Sequence, residues 1–409
     1  MVSQTQPATS QFPRALDTPP SKQAAAAPHG KRLLFIDNLR ILLICGVLLV
    51  HLDDTYGAIG SWDYHDPATN FLTGAILSFP NAIGMACGMG LFFLLAGYFT
   101  PGAYDRKGYK RFLQDRLLRL GLPLLLYDLL VHPLVAYIGS GLHGSYWSFY
   151  SAFLPQMRGV TGVVWFLAVL LLFDLLYATW RVLTRHRIST SATTGKLPSY
   201  RAIFGFIFAL GLVTFVVRIW WPAGSVFIPL NVPVGYLPQY ISLYILGVIA
   251  YRRNWFFALT PKMGRDWSLI VLVATLIIVG GLVFPSTIMQ EAQAASSHQA
   301  SLAIAGGFNV FAFGYALWEA IMAVGVGIGL VVLFRQRLNH QGILARNLAA
   351  TVYIVYLIHA PVLVGFAYAF HVVALYPLLK WAVAVLVTIP LCFLLGFLIR
   401  KIPYVDRVL

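Results

Sequence analysis

Arg40 and His51 stand on one apolar stretch, R-L-L-F-I-D-N-L-R-I-L-L-I-C-G-V-L-L-V-H-L-D-D-T-Y, running from Arg32 to Tyr56. At about 100° per residue their offset of eleven is roughly three turns plus 20°, so a helix carries both side chains on one face. At about 1.5 Å of rise per residue they lie on the order of 16 Å apart along its axis. A guanidinium near one end of a membrane-length helix is thus aligned with an imidazole near the other. Asp53 and Asp54 follow His51 closely. An imidazole with a carboxylate nearby has the parts of a general base, because the carboxylate orients the ring and steadies its cation. A histidine at a helix end is also an ordinary interfacial residue, and spacing alone leaves both readings open.

Other ionisable groups punctuate apolar runs: Asp128 with His132, an i,i+4 pair, then Asp174, Arg218, Glu319 and His359. Each alone could be a polar contact between helices. Together they predict a central polar cavity, since lipid rejects such groups. The segment D-R-K-G-Y-K-R-F-L-Q-D-R-L-L-R, 105–119, is strongly basic. Arg106, Lys107, Lys110 and Arg111 read as a membrane-surface anchor. Arg116 and Arg119, one turn apart beside leucines, need a partner, and two guanidiniums on one face suit phosphate oxygens.

These residues need a membrane scaffold, and composition supplies one. The chain has 409 residues, 59% hydrophobic and 11% charged, where a soluble domain carries about 25% charged. The reading is an all-α, polytopic membrane protein. Ten spans are expected at roughly 33–56, 71–99, 119–138, 161–181, 202–221, 234–251, 267–285, 304–334, 348–371 and 379–400; the eighth is long enough for a kink at Gly314 or a tilt. The tail 1–31, rich in Ala, Pro, Ser and Thr, reads as disordered, with a transmembrane domain over 32–403 and a short end at 404–409. Most lysines and arginines fall in the tail, on alternate loops or at helix ends on one side, Arg158 being the exception in a far-side loop. The bias places both termini in the cytoplasm. It also makes the formal charge of +15 topological, suited to anionic lipid headgroups and not to nucleic acid. Cys45, Cys87 and Cys392 lie in apolar runs and read as packing residues. No cluster has metal-ligand spacing, and G-M-A-C-G-M-G, 84–90, reads as a close helix approach instead of a phosphate loop.

Several segments resemble the membrane-bound acyltransferase 3 family. R-I-L-L-I-C-G-V-L-L-V-H matches its basic-residue, ten-spacer, histidine motif at Arg40 and His51. L-F-F-L-L-A-G-Y-F, 91–99, resembles its F-F-hydrophobic-S-G-Y-F segment, with Ala96 where serine is usual. R-L-L-R, 116–119, matches its paired arginines. V-W-F-L, 164–167, and Y-I-V-Y-L-I-H-A-P, 353–361, resemble its tryptophan and late Y-L-x-H elements, and Glu319 has a plausible counterpart. The resemblance spans about 32–400 and is nearest the glucan biosynthesis protein C branch, which succinylates periplasmic glucans. It implies a bacterial inner-membrane enzyme that moves an acyl group, succinyl or acetyl, from cytoplasmic acyl-CoA to a glycan hydroxyl or related acceptor on the far side. Acyl-CoA would be a co-substrate, with no permanently bound cofactor. In that reading Arg116, Arg119 and Arg40 hold the CoA phosphates, and His51 is the base. Asp53 or Asp54 orients it, and Glu319 shares the proton or binds the acceptor. Trp165, Tyr356 and His359 line the cavity, though Tyr356 and His359 could equally be packing residues. A homo-oligomer is compatible with all of this.

Two other classes fit the same composition. A secondary transporter of a small anion also needs buried charges, but usually shows internal repeats, and the 33–56 pattern does not recur in the second half. A non-catalytic sensor or scaffold would tolerate loss of His51.

Overall fold

The computed structural model describes residues 32–156, 162–184, 195–227, 231–278, 280 and 304–403. The tail 1–31, the end 404–409, Arg158, the loop 286–303 and the last part of the expected seventh span lie outside the described residues. The helices are α1 (Leu34–Thr55), α2 (Phe71–Arg116), α3 (Leu122–Leu126), α4 (His132–Gly139), α5 (Tyr146–Phe153), α6 (Trp165–Leu183) and α7 (Tyr200–Trp220). They continue with α8 (Leu237–Arg252), α9 (Trp255–Ala258), α10 (Pro261–Ile278), α11 (Val310–Arg337), α12 (Ile343–Phe370) and α13 (Pro377–Arg400). A short antiparallel pair, β1 (Val226–Phe227) with β2 (Val232–Pro233), joins α7 to α8.

Among the described residues eight helical segments are long and apolar enough to cross a membrane. One of them, Phe71–Gly139, has 69 residues. At about 1.5 Å each that is roughly 100 Å, three times the ~30 Å hydrocarbon core, so it is more than one crossing. Gly108 divides it, at φ 70 and ψ 171 inside α2, a conformation that glycine adopts without the Cβ penalty. The basic segment read as a membrane-surface anchor is largely helical. α10 matches part of the seventh expected span, but Lys262, Arg265 and Asp266 crowd its first turns. α11 runs through Gly314 without interruption.

Two π-helical turns, Leu117–Gly121 and Tyr127–Val131, flank α3. Their cause is visible in the sequence. Pro123 and Pro133 have no N–H to give to the carbonyls four residues earlier, Arg119 and Leu129. Those two oxygens accept hydroxyls instead, from Tyr353 on α12 and from Tyr150 on α5.

α2 is the hub. It packs on α8, α1, α11 and α6, while α11 carries α10 and α7, and α12 carries α13, α1 and α4. The α2–α8 crossing has almost no side chain between backbones: a Cβ on Gly97 would sit 2.1 Å from the Tyr244 carbonyl oxygen, and one on Gly247 2.1 Å from that of Leu94. Of the 84–90 glycines, Gly90 faces Leu243 and Gln239, and Gly84 faces Val50, so those two serve close helix approach as expected; Gly88 meets nothing. α1 belongs to two apolar bodies. Phe35, Ile36, Leu39 and Leu43 pack with α7, α10 and α11, whereas Ile44, Leu48 and Leu52 pack with α6, α12 and α13.

Several buried charges form ion pairs between elements. Arg218 on α7 meets Glu319 on α11 at 2.5 Å, Arg116 meets Asp174 on α6 at 2.9 Å, and Lys380 on α13 meets Asp66 at 3.1 Å. Neutralisation at short range removes most of the cost that lipid or protein imposes on a lone charge. An apolar groove of about 480 Å³ runs between α7 and α8, lined by Phe206, Leu210, Val213, Trp221, Leu237 and Ile241.

Candidate active site

α1 ends at His51 and the two aspartates. Tyr56 N–H donates back to Leu52 and Asp53 carbonyls, and Gly57 at φ 121 turns the chain away from the helix. The segment that follows folds back over the helix end. Asp66 N–H donates to Thr55 O (2.8 Å), and His65 Nδ1 lies 2.9 Å from Asp54 O. This return puts the Trp62 indole on the His51 imidazole, centroids 4.0 Å apart and planes 19° from parallel. His359 of α12 adds a third near-parallel ring, 5.2 Å from His51 and 6.3 Å from Trp62. His51 and His359, expected in one site, are thus brought together. His359 Nδ1 contacts its own helix at the Tyr356 carbonyl, while His359 Nε2, His51 Nδ1 and Trp62 Nε1 have no hydrogen-bond partner among the described residues.

The aspartates expected to orient His51 are engaged elsewhere. Asp53 accepts from Trp381 Nε1 of α13 at 2.8 Å, and Asp54 accepts from Asn81 Nδ2 of α2 at 2.8 Å. Residues two and three positions on from His51 point about 200° and 300° around the helix. They are therefore free to anchor neighbours, and they fix the helix end on which His51 sits. Gly60 is required beside Asp54, since a Cβ there would fall 2.0 Å from Asp54 Oδ1.

The remaining expected residues have definite places. Tyr356 donates its hydroxyl to Val163 O (2.8 Å), and its ring lies 5.8 Å from that of His359. Trp165 stacks on Tyr240 at 5.4 Å. Glu319 is not in the ring cluster. Its partner is Arg218, whose guanidinium also lies over the Tyr236 and Tyr315 rings at 4.6 and 5.8 Å. A run of aromatic contacts connects the two places, from Tyr356 through Phe166, Phe93 and Tyr240 to Tyr236.

At the other end of α1, Arg40 lies 4.7 Å over the Phe99 ring and 3.5 Å from Asp37, with 38% of its side chain exposed. Arg119 pairs with Asp115 at 3.2 Å and is 48% exposed. Arg116 is different. Asp174 holds it, and the same carboxylate accepts from Thr100 (2.9 Å) and Tyr244 (2.7 Å). Nearby, Asp105 binds Arg181 at 3.2 Å and Arg252 at 2.6 Å, tying α2 to α6 and α8. The geometry leaves Arg40 and Arg119 with free guanidinium surface and engages Arg116 with Asp174.

Asp128 and His132, one face of an ordinary helix in sequence, are separated by the Tyr127–Val131 π turn. His132 Nε2 is 4.0 Å from Asp63 in the return segment, and one buried oxygen of Asp128 has no hydrogen-bond partner among the described residues. Burial pushes the Asp63 carboxyl above its usual range, and His132 and His65 pull it back. Burial beside Asp66 pushes the Tyr64 phenol up to about 12. The sequence reading missed Trp62, Asp63 and Asp66 as partners of the site. A tryptophan within a short segment rich in aspartate and histidine, just after His51, was the available signal.

Residues 33–397 match the acyltransferase domain of the acyltransferase 3 family. No curated protein and no solved structure matches the chain. The family match covers nearly all of the described helices and the whole of the ring cluster. The chain belongs to the acyltransferase 3 family and is a multi-pass membrane acyltransferase.

Proposed function

We propose that the protein is an O-acyltransferase of the bacterial inner membrane, nearest the glucan biosynthesis protein C branch. It takes an acyl group, succinyl or acetyl, from cytoplasmic acyl-CoA and delivers it to a hydroxyl of an extracytoplasmic glycan or similar acceptor. The chain crosses ten times, once each by α1, α6, α7, α8, α10, α11, α12 and α13 and twice by Phe71–Gly139, with both termini in the cytoplasm. His51 then lies at the far side and Arg40 at the cytoplasmic side.

The observation that carries this reading is the placement of an imidazole with an unpartnered ring nitrogen on the same helix face as an accessible arginine about 16 Å away. Arg40 and Arg119 hold the CoA phosphates, and the thioester reaches towards His51. The acceptor O–H gives its proton to His51 as its oxygen adds to the thioester carbonyl. Collapse breaks the C–S bond, and the thiolate leaves with a proton as free CoA. His359 flanks the acceptor, and Asp53 and Asp54 act by fixing the end of α1. Glu319, held by Arg218, contributes to the far wall, and Trp165 and Tyr356 shape the space between.

Purified His51→Ala protein, folded and incubated with succinyl-CoA or acetyl-CoA and envelope glycans, should lose transfer by roughly 10²-fold or more. Mass spectrometry of the glycans reads the added acyl mass, and undiminished transfer would eliminate His51 as the base.

A further inference from the structure

We propose that His359 is the positioning residue that sets the working tautomer of His51. Its Nε2 accepts the Nδ1–H of His51, so that Nε2 of His51 carries the lone pair that takes the acceptor's proton. The proposal rests on the reading of His51 as the base, and it supplies the orienting partner that Asp53 and Asp54 do not.

A base needs its lone pair on the nitrogen that a substrate can reach. The His51 side chain is partly exposed, yet its Nδ1 is buried and has no hydrogen-bond partner among the described residues. The reachable nitrogen is therefore Nε2, and a lone pair there puts the proton of the neutral ring on Nδ1. An isolated imidazole side chain prefers the opposite tautomer, and a buried N–H without an acceptor is costly. Something must accept from Nδ1. The two carboxylates next along the chain already accept from Trp381 and Asn81.

His359 fits the task. It is fully buried on α12, and its Nδ1 lies 2.5 Å from the Tyr356 carbonyl oxygen. A carbonyl oxygen only accepts, so Nδ1 carries the proton and Nε2 of the neutral ring is an acceptor. That Nε2 is buried and makes no hydrogen bond among the described residues. One helix thus brings a buried acceptor to the place where the other needs one. The three ring separations, 4.0 Å for His51–Trp62, 5.2 Å for His51–His359 and 6.3 Å for Trp62–His359, form a nearly right-angled triangle at His51. Trp62 stacks on the face of His51, so His359 lies beside its edge, with the two imidazole planes only 18° apart. With ring bonds of about 1.33 Å each nitrogen stands about 1.2 Å from its centroid. Nitrogens on the line between the centroids would then be roughly 2.8 Å apart, which is hydrogen-bond distance. Turning the rings so that the two nitrogens meet that line completes the bond.

As the acceptor oxygen adds to the thioester carbonyl, its proton passes to His51 Nε2 and the ring becomes a cation. Nδ1–H is then a stronger donor, and His359 steadies the charge without taking the proton. The proton leaves with the thiolate when the C–S bond breaks.

Nitrogen-15 spectra of the full-length protein labelled in its imidazoles, recorded at alkaline pH without substrates, read the tautomer; the signals missing from His51→Gln are those of His51. The parent should show His51 protonated at Nδ1, and His359→Leu should move that proton to Nε2. In acyl transfer, His359→Leu and His359→Asn should lower kcat at least about tenfold, with the KM for acyl-CoA within about twofold. Asparagine keeps a donor for the Tyr356 carbonyl but has no acceptor at the place of Nε2. His359→Gln, whose amide oxygen can stand there, should keep kcat within about threefold of the parent. A His51 proton on Nε2 in the parent, or one left on Nδ1 in His359→Leu, would overturn the proposal. A His359→Gln enzyme as slow as His359→Asn would overturn it too. The tautomer is read without turnover, so these results stand apart from His51 as base, which the His51→Ala transfer measurement decides.

Discussion

At the scale of residues, the pairing of charges decides what each can do. Arg116 and Arg119 look equivalent in R-L-L-R, yet Asp174 takes one and leaves the other half exposed. Arg119→Ala should therefore raise the KM for acyl-CoA roughly tenfold with little effect on folding, since a charge-assisted contact to phosphate is being removed. Asp174→Ala should instead lower the apparent Tm of the detergent-solubilised protein, at a cost of about 3 kcal/mol or more, because Arg116, Thr100 and Tyr244 all lose one buried acceptor. Thermal unfolding and initial rates separate the two, and the opposite pattern would reverse the assignment of strut and ligand. The alignment of Arg40 with His51 was legible in the sequence because both lie on one helix. The partners of Asp53, Asp54 and Glu319 were not, because they come from α13, α2 and α7, and no periodicity within one helix reports its neighbours.

At the scale of elements, helix positions were legible almost throughout, since apolar length is a strong signal. The local departures had causes written in the chain but readable only together with their partners. Pro123 and Pro133 announce broken hydrogen bonds; that the Tyr353 and Tyr150 hydroxyls would donate to the freed carbonyls depends on where α12 and α5 lie. The α2–α8 crossing is the sharpest case. Gly97 sits in the G-Y-F segment and Gly247 in an unremarkable run, yet each faces the other helix's backbone. Gly247→Leu should separate α8 from α2, where a Cβ at 2.1 Å from Leu94 O has no side chain to push aside, and should cost about 3 kcal/mol or more. The measurement is the yield of monodisperse protein and its apparent Tm beside Gly88→Leu, which meets nothing and should be tolerated.

At the scale of the whole molecule, α1 joins two apolar bodies and carries a different chemistry at each end. Its Arg40 end lies over Phe99 of α2; its His51 end borders Trp62, His359 and, through Asp66 N–H to Thr55 O, the Asp66–Lys380 pair. A vectorial reaction follows only if those ends face opposite compartments, and the charge bias argues that they do. Single cysteines test it directly, in a background with Cys45 replaced, Cys87 and Cys392 being buried. Ile59→Cys and Ile343→Cys lie at positions 76% and 79% exposed, and Tyr109→Cys follows the Gly108 break at a position 42% exposed. A membrane-impermeant maleimide should label position 59 from outside intact spheroplasts, and 109 and 343 only in inverted vesicles. Labelling of 59 and 109 from the same side would mean that α2 does not carry the chain across between them. His51 and Arg119 would then share a compartment, and the proposed transfer across the membrane would fail.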